Sequence, residues 1–150
     1  MKKIIFCILG ITGLSIIYWL TSPLFITKRV QEKMPEVSMV SSSVEQKEVA
    51  TGDFIGLAGH RAEGTAKLLI VGEKKFIRFE DDFSITNGPD LFVYLGNNGV
   101  YDPNTRLGAL RGNVGSQNYE IPATIDVSNY NEVWVWCRAF SVPFGKAIFQ

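Results

Sequence analysis

From Thr51 onward the apolar residues come in short runs broken by turn residues, and within the runs the apolar and polar positions alternate. Val133–Phe140 is the plainest case. Val133, Val135, Cys137 and Ala139 fall on one face; Trp134, Trp136, Arg138 and Phe140 fall on the other. β-Branched and aromatic side chains suit a pleated, half-buried surface, so a strand is expected there. Further strands are expected over Gly64–Val71, over Lys75–Phe83 with Ile77 and Phe79 sharing a face, and over Asp90–Leu95. Gln117–Pro122, with Tyr119 and Ile121 together, and Phe144–Phe149, after a turn at Val142-Pro143, complete the set. Gly72-Glu73-Lys74-Lys75, Asn87-Gly88-Pro89-Asp90 and Gly96-Asn97-Asn98-Gly99 supply turn chemistry between them. Short strands at this spacing predict an all-β fold, an antiparallel β-sandwich or barrel-like domain, over residues 51–150.

The first fifty residues follow another pattern. Lys2 and Lys3 precede an uncharged run, Ile4–Leu20, that continues through Leu24, Phe25 and Ile26 before Lys28 and Arg29. As a helix the run to Leu20 reaches about 26 Å, and its extension to Ile26 makes up the roughly 30 Å of a bilayer core. Tyr18 and Trp19 suit the interface. Residues 1–26 are therefore expected to be one N-terminal transmembrane signal anchor, with residues 4–26 in the membrane. A cleaved signal peptide is the rival, but no Ala-x-Ala-like site follows. The short lysine-bearing N-tail favours a single-pass protein at the cell membrane with its C-terminal domain extracytoplasmic. Residues 27–50 mix charges with Pro35 and Ser41-Ser42-Ser43, and are expected to be a flexible spacer.

Composition narrows the chemistry. The formal net charge is zero, so nothing electrostatic favours nucleic acid. The two cysteines, Cys7 and Cys137, lie in segments expected to be apart, and no internal disulfide is expected. The sequence has no P-loop or Gly-x-Gly-x-x-Gly for a nucleotide cofactor, no Gly-x-Ser-x-Gly elbow, and no Cys-x-x-Cys-His for c-type haem. A hydrolase is not expected, since His60 is the only histidine and would be the sole base.

Cys137 is in phase with the valines of its strand, which points its sulfur at the core. As a small packed hydrophobe it needs no further role; as a redox thiol it would need a positive or hydrogen-bonding neighbourhood and access. The residues leave both readings open. His60, between Gly59 and Arg61, reads either as a solvated loop residue or as an axial ligand near Cys137. One Cys and one His leave two ligands missing for tetrahedral zinc, and no metal site is expected. The acidic run Glu80-Asp81-Asp82, with Asp90 and Asp102, offers hard oxygens to calcium, but the spacing fits no EF-hand loop and solvated turns are the simpler reading. Trp134 and Trp136 would form an exposed patch if no second layer covers their face.

Several separated blocks line up with one family. They are Gly52-x-Phe54, Gly59-His60, Gly64-Thr65-Ala66, Phe79–Phe83, Gly88-Pro89-Asp90-Leu91-x-Val93-Tyr94-Leu95, Leu107-Gly108-x-Leu110, Asn113-x-x-x-Gln117-x-Tyr119-x-x-Pro122, Val133-x-Val135-Trp136-Cys137 and Phe144-Gly145-x-Ala147. Together, over about residues 50–150, they resemble the DM-thirteen electron-transfer domain. That domain is found in animal Skeletor-like proteins beside DOMON and cytochrome b-type domains, and alone in bacterial envelope proteins. The resemblance implies a bacterial-type, single-domain, membrane-anchored member that transfers electrons through one cysteine, as a thiol or as a ligand to a prosthetic group. On this chain that makes Cys137 the redox residue, with His60 and Cys137 as cofactor-binding candidates and non-covalent haem as a candidate cofactor. No DOMON or cytochrome domain accompanies it, so a separate redox partner protein is implied. The competing expectation is a non-catalytic binding or adhesion module of the cell envelope, with Cys137 as a core residue only.

Overall fold

A computed structural model describes residues 10–16, 18, 26–36 and 46–150. The strands run in order β1 (Gln46–Gly56), β2 (Ala62–Glu63), β3 (Thr65–Val71), β4 (Lys74–Phe79), β5 (Ser84–Ile85), β6 (Leu91–Asn97), β7 (Val100–Tyr101), β8 (Gly108–Ala109), β9 (Gln117–Ile121), β10 (Glu132–Cys137) and β11 (Val142–Ile148). Their spatial order is β7-β6-β10-β11-β1-β3-β4-β9, with β8 also on β6 and β2 paired to β5 alone. All these pairings are antiparallel, as the short runs and tight turns require.

β1 joins the two halves. Its residues Gln46–Asp53 pair with β3, and Phe54–Gly56 pair with β11. The register shifts between Glu48 and Ala50, and a bulge of this kind bends a strand. The sheet therefore folds over itself as a half-barrel. Val133, Val135 and Cys137 of β10 meet Leu91, Val93 and Leu95 of β6 on the inner face, opposite Leu68, Ile77, Phe79 and Tyr119. The alternation anticipated for these runs is the one that forms.

Two local features differ from the sequence reading. The turn before the last strand is Arg138–Ser141, where Ser141 takes a positive φ of 53°, and not Val142-Pro143. Pro143 lies inside β11, opposite Trp136, where the register slips between Val135 and Trp136. Proline lacks the N–H for a regular ladder, so a slip of this kind is where a strand tolerates it.

Among the described residues no helix is long and apolar enough to cross a membrane. Residues 10–16 and 18 are helical, and most of the expected span 4–26 lies outside the described residues.

The expected spacer 27–50 is not a free tether where it is described. Gln46–Ala50 belong to β1, and residues 26–36 lie along the domain as an extended strap. Val30 N donates to Val114 O at 2.9 Å and Glu32 N to Ser116 O at 3.0 Å. Arg78, 5% exposed, donates through Nη1 to the carbonyls of Glu32 and Lys33. The Glu32 carboxylate receives Arg111 Nη1 and the Asn118 backbone N–H. Burial alone would raise the Glu32 carboxyl, but these bonds outweigh it and hold it below the usual range. The strap docks through polar atoms, which is why a composition too poor for a core did not reveal it. The part of the expected spacer at 37–45 lies outside the described residues.

Candidate functional site

A cleft of about 370 Å³ opens between the segments 87–92 and 109–113, with Ile26 and Lys28 of the strap on its third side. Its walls are tied by Leu110 N donating to Leu91 O at 2.8 Å and by the pairing of Phe92 with Ala109. Two of the blocks that carry the family resemblance, Gly88–Leu91 and Leu107–Leu110, thus meet at one place.

Gln117 shapes the second wall. It is fully buried, its Oε1 accepts from Arg111 N, Gly112 N and the Tyr119 hydroxyl, and its Nε2 donates to Gly112 O at 2.8 Å. One side chain therefore satisfies the backbone of a tight loop that would otherwise bury polar groups without partners. Burial raises the Tyr119 phenol well above its ordinary value, so it stays protonated and donates to Gln117. Sequence reasoning passed over Gln117 as one letter of a motif; a glutamine in phase with Tyr119 and Ile121 on the inner face was the signal.

Cys137 is 0% exposed and lies in the core cluster, opposite Leu91 on β6 and Val142 on β11. Leu91 also lines the cleft, so Cys137 is the cross-strand neighbour of a cleft-lining residue. His60 sits at a turn where His60 N donates to Leu57 O at 2.9 Å, with Ala58 and Gly59 at φ of 50° and 80°. Its ring stacks on Phe144, centroids 3.6 Å apart and planes within 11°. Phe144 packs in turn against Gly88 on the cleft wall, close enough that a Cβ on Gly88 would come within 2.8 Å of the ring. The two candidates are thus seated around β11 with Phe144 and Val142 as their respective neighbours, and no hydrogen bond joins imidazole to thiol among the described residues.

These surroundings do not fit a haem held by both residues. The sulfur is 0% exposed and enclosed by packed core side chains, which leaves no room for a macrocycle against it.

The outer face of β6 and β10 carries Tyr94, Trp134 and Trp136, but it is not bare. Tyr101 from β7 stacks on Trp136 at 4.1 Å and meets Tyr94 edge-on at 5.2 Å, while Lys146 Nζ lies 4.9 Å over the Trp134 ring. Trp134 is only 5% exposed, so the patch anticipated for both tryptophans is largely covered by the chain itself. Beneath it, Glu132 accepts from Trp134 Nε1 at 2.9 Å, from Lys146 Nζ at 2.8 Å and from Gly99 N. Burial alone would push the Glu132 carboxyl up, but these donors outweigh it and hold it below the usual carboxylate range.

Of the acidic residues considered for calcium, Asp81 is exposed and the other four are engaged elsewhere. Asp82 accepts from Thr65 N and Oγ1, Glu80 pairs with Arg78, Asp90 with Arg138, and Asp102 caps the 3₁₀ turn Pro103–Thr105. Among the described residues no group of three or more His, Cys, Asp or Glu is placed to hold a metal ion.

A family model described as Electron transfer DM13 matches residues 53–149. No curated protein and no solved structure matches the chain. The match takes in every strand from the end of β1 to β11, both cleft walls, His60 and Cys137. With about two thirds of its length inside that match, the chain belongs to the DM13 electron-transfer family.

Proposed function

We propose that the protein is a membrane-anchored electron-transfer module, its domain on the extracytoplasmic side and its anchor over residues 4–26, and that Cys137 exchanges electrons with a separate redox partner protein. The family match supports electron transfer. The observation that favours Cys137 is its register: it lies opposite Leu91, which lines the cleft built from the family's own motif residues. Thiol–disulfide exchange needs an incoming sulfur to reach the thiolate, which a fully buried side chain prevents. One-electron transfer needs no such contact: the thiol gives an electron to the partner and its proton to solvent, leaving a thiyl radical, and the reverse step restores both. The geometry thus suits a partner or small carrier in the cleft better than covalent exchange at the sulfur.

Voltammetry of the full chain tests this. A redox wave present in the native protein and absent in Cys137→Ala is the expected result. No wave in the native protein, or the same wave in both, would overturn it. For the topology, protease added to intact cells should remove the domain, and full protection would count against an extracytoplasmic location.

The second reading is a non-catalytic binding module of the cell envelope. It is favoured by the same burial, since a cysteine at 0% exposure within a core needs no role beyond packing. Under that reading Cys137→Ala changes stability alone.

A further inference from the structure

We infer that the end of the domain bearing the cleft rests on anionic lipid headgroups, held there by the strap. This builds on the anchor reading proposed above and adds a surface and a partner to it.

The first ground is the absence of slack. Asn87 Nδ2 donates to Ile26 O at 3.1 Å, and Lys28 N donates to Asn113 Oδ1 at 2.6 Å. The expected span ends at Ile26, and Ile26 is already on the cleft rim. The exit from the bilayer and the rim of the cleft are then one residue, with no tether between them.

The second ground is that the attachment is built in. Gly112 is buried, and a Cβ there would come within 2.5 Å of Lys28 O and 2.6 Å of Val30 Cγ2. Its three nearest neighbours are all strap atoms, so this glycine is matched to the strap and not to the loop it belongs to.

Charge is the third ground. Lys28, Arg29 and Lys33 of the strap and Arg106, Arg111 and Arg138 around the cleft stand against Glu32, Glu36 and Asp90. Arg111 pairs with Glu32 and Arg138 with Asp90, and with Glu36 counted the cations still exceed the carboxylates by three. The opposite end of β6 turns through Asn97–Val100 without a charge. Basic residues beside a membrane exit are drawn to anionic headgroups, and a cleft held there meets reactants carried in or on the bilayer.

The test uses the full chain with Cys7→Ser, reconstituted in nanodiscs of anionic lipid. One nitroxide is placed on the cleft wall at Ala109→Cys and another at Val100→Cys, at the far end of β6. Accessibility is read against oxygen, which partitions into lipid, and an aqueous nickel chelate. The Ala109 label is expected at headgroup depth and the Val100 label in water. Both Gly112→Ala and the milder Glu32→Gln should shift the Ala109 label towards water, and an unchanged depth in both would overturn the strap's role. Protein retained in the discs with both labels equally aqueous would overturn this inference alone. Protein lost in a high-salt wash would overturn the anchor and the inference together.

Discussion

Lys146 Nζ lies 2.8 Å from Glu132 Oε1, and their side chains are only 13% and 4% exposed. Glu132 also holds the indole N–H of Trp134 and the backbone N–H of Gly99, so it is the hub of the outer face. Glu132→Ala leaves a shielded ammonium and two N–H groups without partners, and is expected to cost about 3–5 kcal/mol in urea unfolding. Replacing Glu132 and Lys146 together by Met should recover only the part due to the unpaired ammonium, because the Trp134 and Gly99 N–H groups still lack an acceptor.

The same carboxyl sets a pH dependence. Its folded-state pKa lies below the ordinary 4.5, so its contribution is fully present above that value and is lost as pH falls through the folded value. Native protein should lose urea resistance below about pH 4.5, and Glu132→Gln should lose less over the same range. Parallel slopes for the two proteins would count against this assignment.

Gly96 lies beneath Trp134. A Cβ there would collide with the indole and come within 2.5 Å of Val100 O. Gly96→Ala is expected to destabilise by about 1–3 kcal/mol and to redshift tryptophan fluorescence as the indole is displaced from its cover. An unshifted spectrum at native stability would mean that the face yields without strain.

Cys137→Ala is expected to cost about 1–2 kcal/mol, the loss of a small buried side chain. Cys137→Ser should cost about 1–3 kcal/mol more, since its hydroxyl enters a site lined by Leu91 and Val142. A small thiol reagent should leave Cys137 unlabelled until the protein unfolds. Fast native labelling would show that the sulfur is reached, and would reinstate thiol exchange.

Gln117→Leu nearly preserves volume but strips partners from Arg111 N, Gly112 N and the Tyr119 hydroxyl. A cost of about 3 kcal/mol is expected, with faster amide exchange over 111–116, whereas Tyr119→Phe should cost about 1 kcal/mol. Equal effects would indicate that the phenol, and not the amide, organises the loop.

The sequence made the strands legible because each buries one face: the phase of Val133, Val135 and Cys137 and that of Tyr119 and Ile121 survive unchanged in the folded chain. Pro143 was misplaced because a register slip leaves no periodic trace, and a proline reads as a turn until the partner strand is known. In the candidate site, the burial of Cys137 was readable from its phase, but the stacking of His60 on Phe144 joins positions too far apart for spacing to report. The strap was illegible for a different reason. Its contacts are hydrogen bonds donated by the Val30 and Glu32 N–H groups and accepted by the Lys33 carbonyl, and hydrogen-bonded extended chain has no hydrophobic signature.

β9 ends the order of paired strands, and such an edge offers unmet backbone donors and acceptors to any passing strand. In this protein Glu32 Oε2 occupies one of those donors, Asn118 N, at 2.9 Å, and Ser116 O is taken by Glu32 N. A negatively charged side chain on that edge is a poor template for a second copy. The strap therefore also guards against self-association: freeing it would expose an edge whose backbone donors and acceptors are ready to take up a strand of the next molecule.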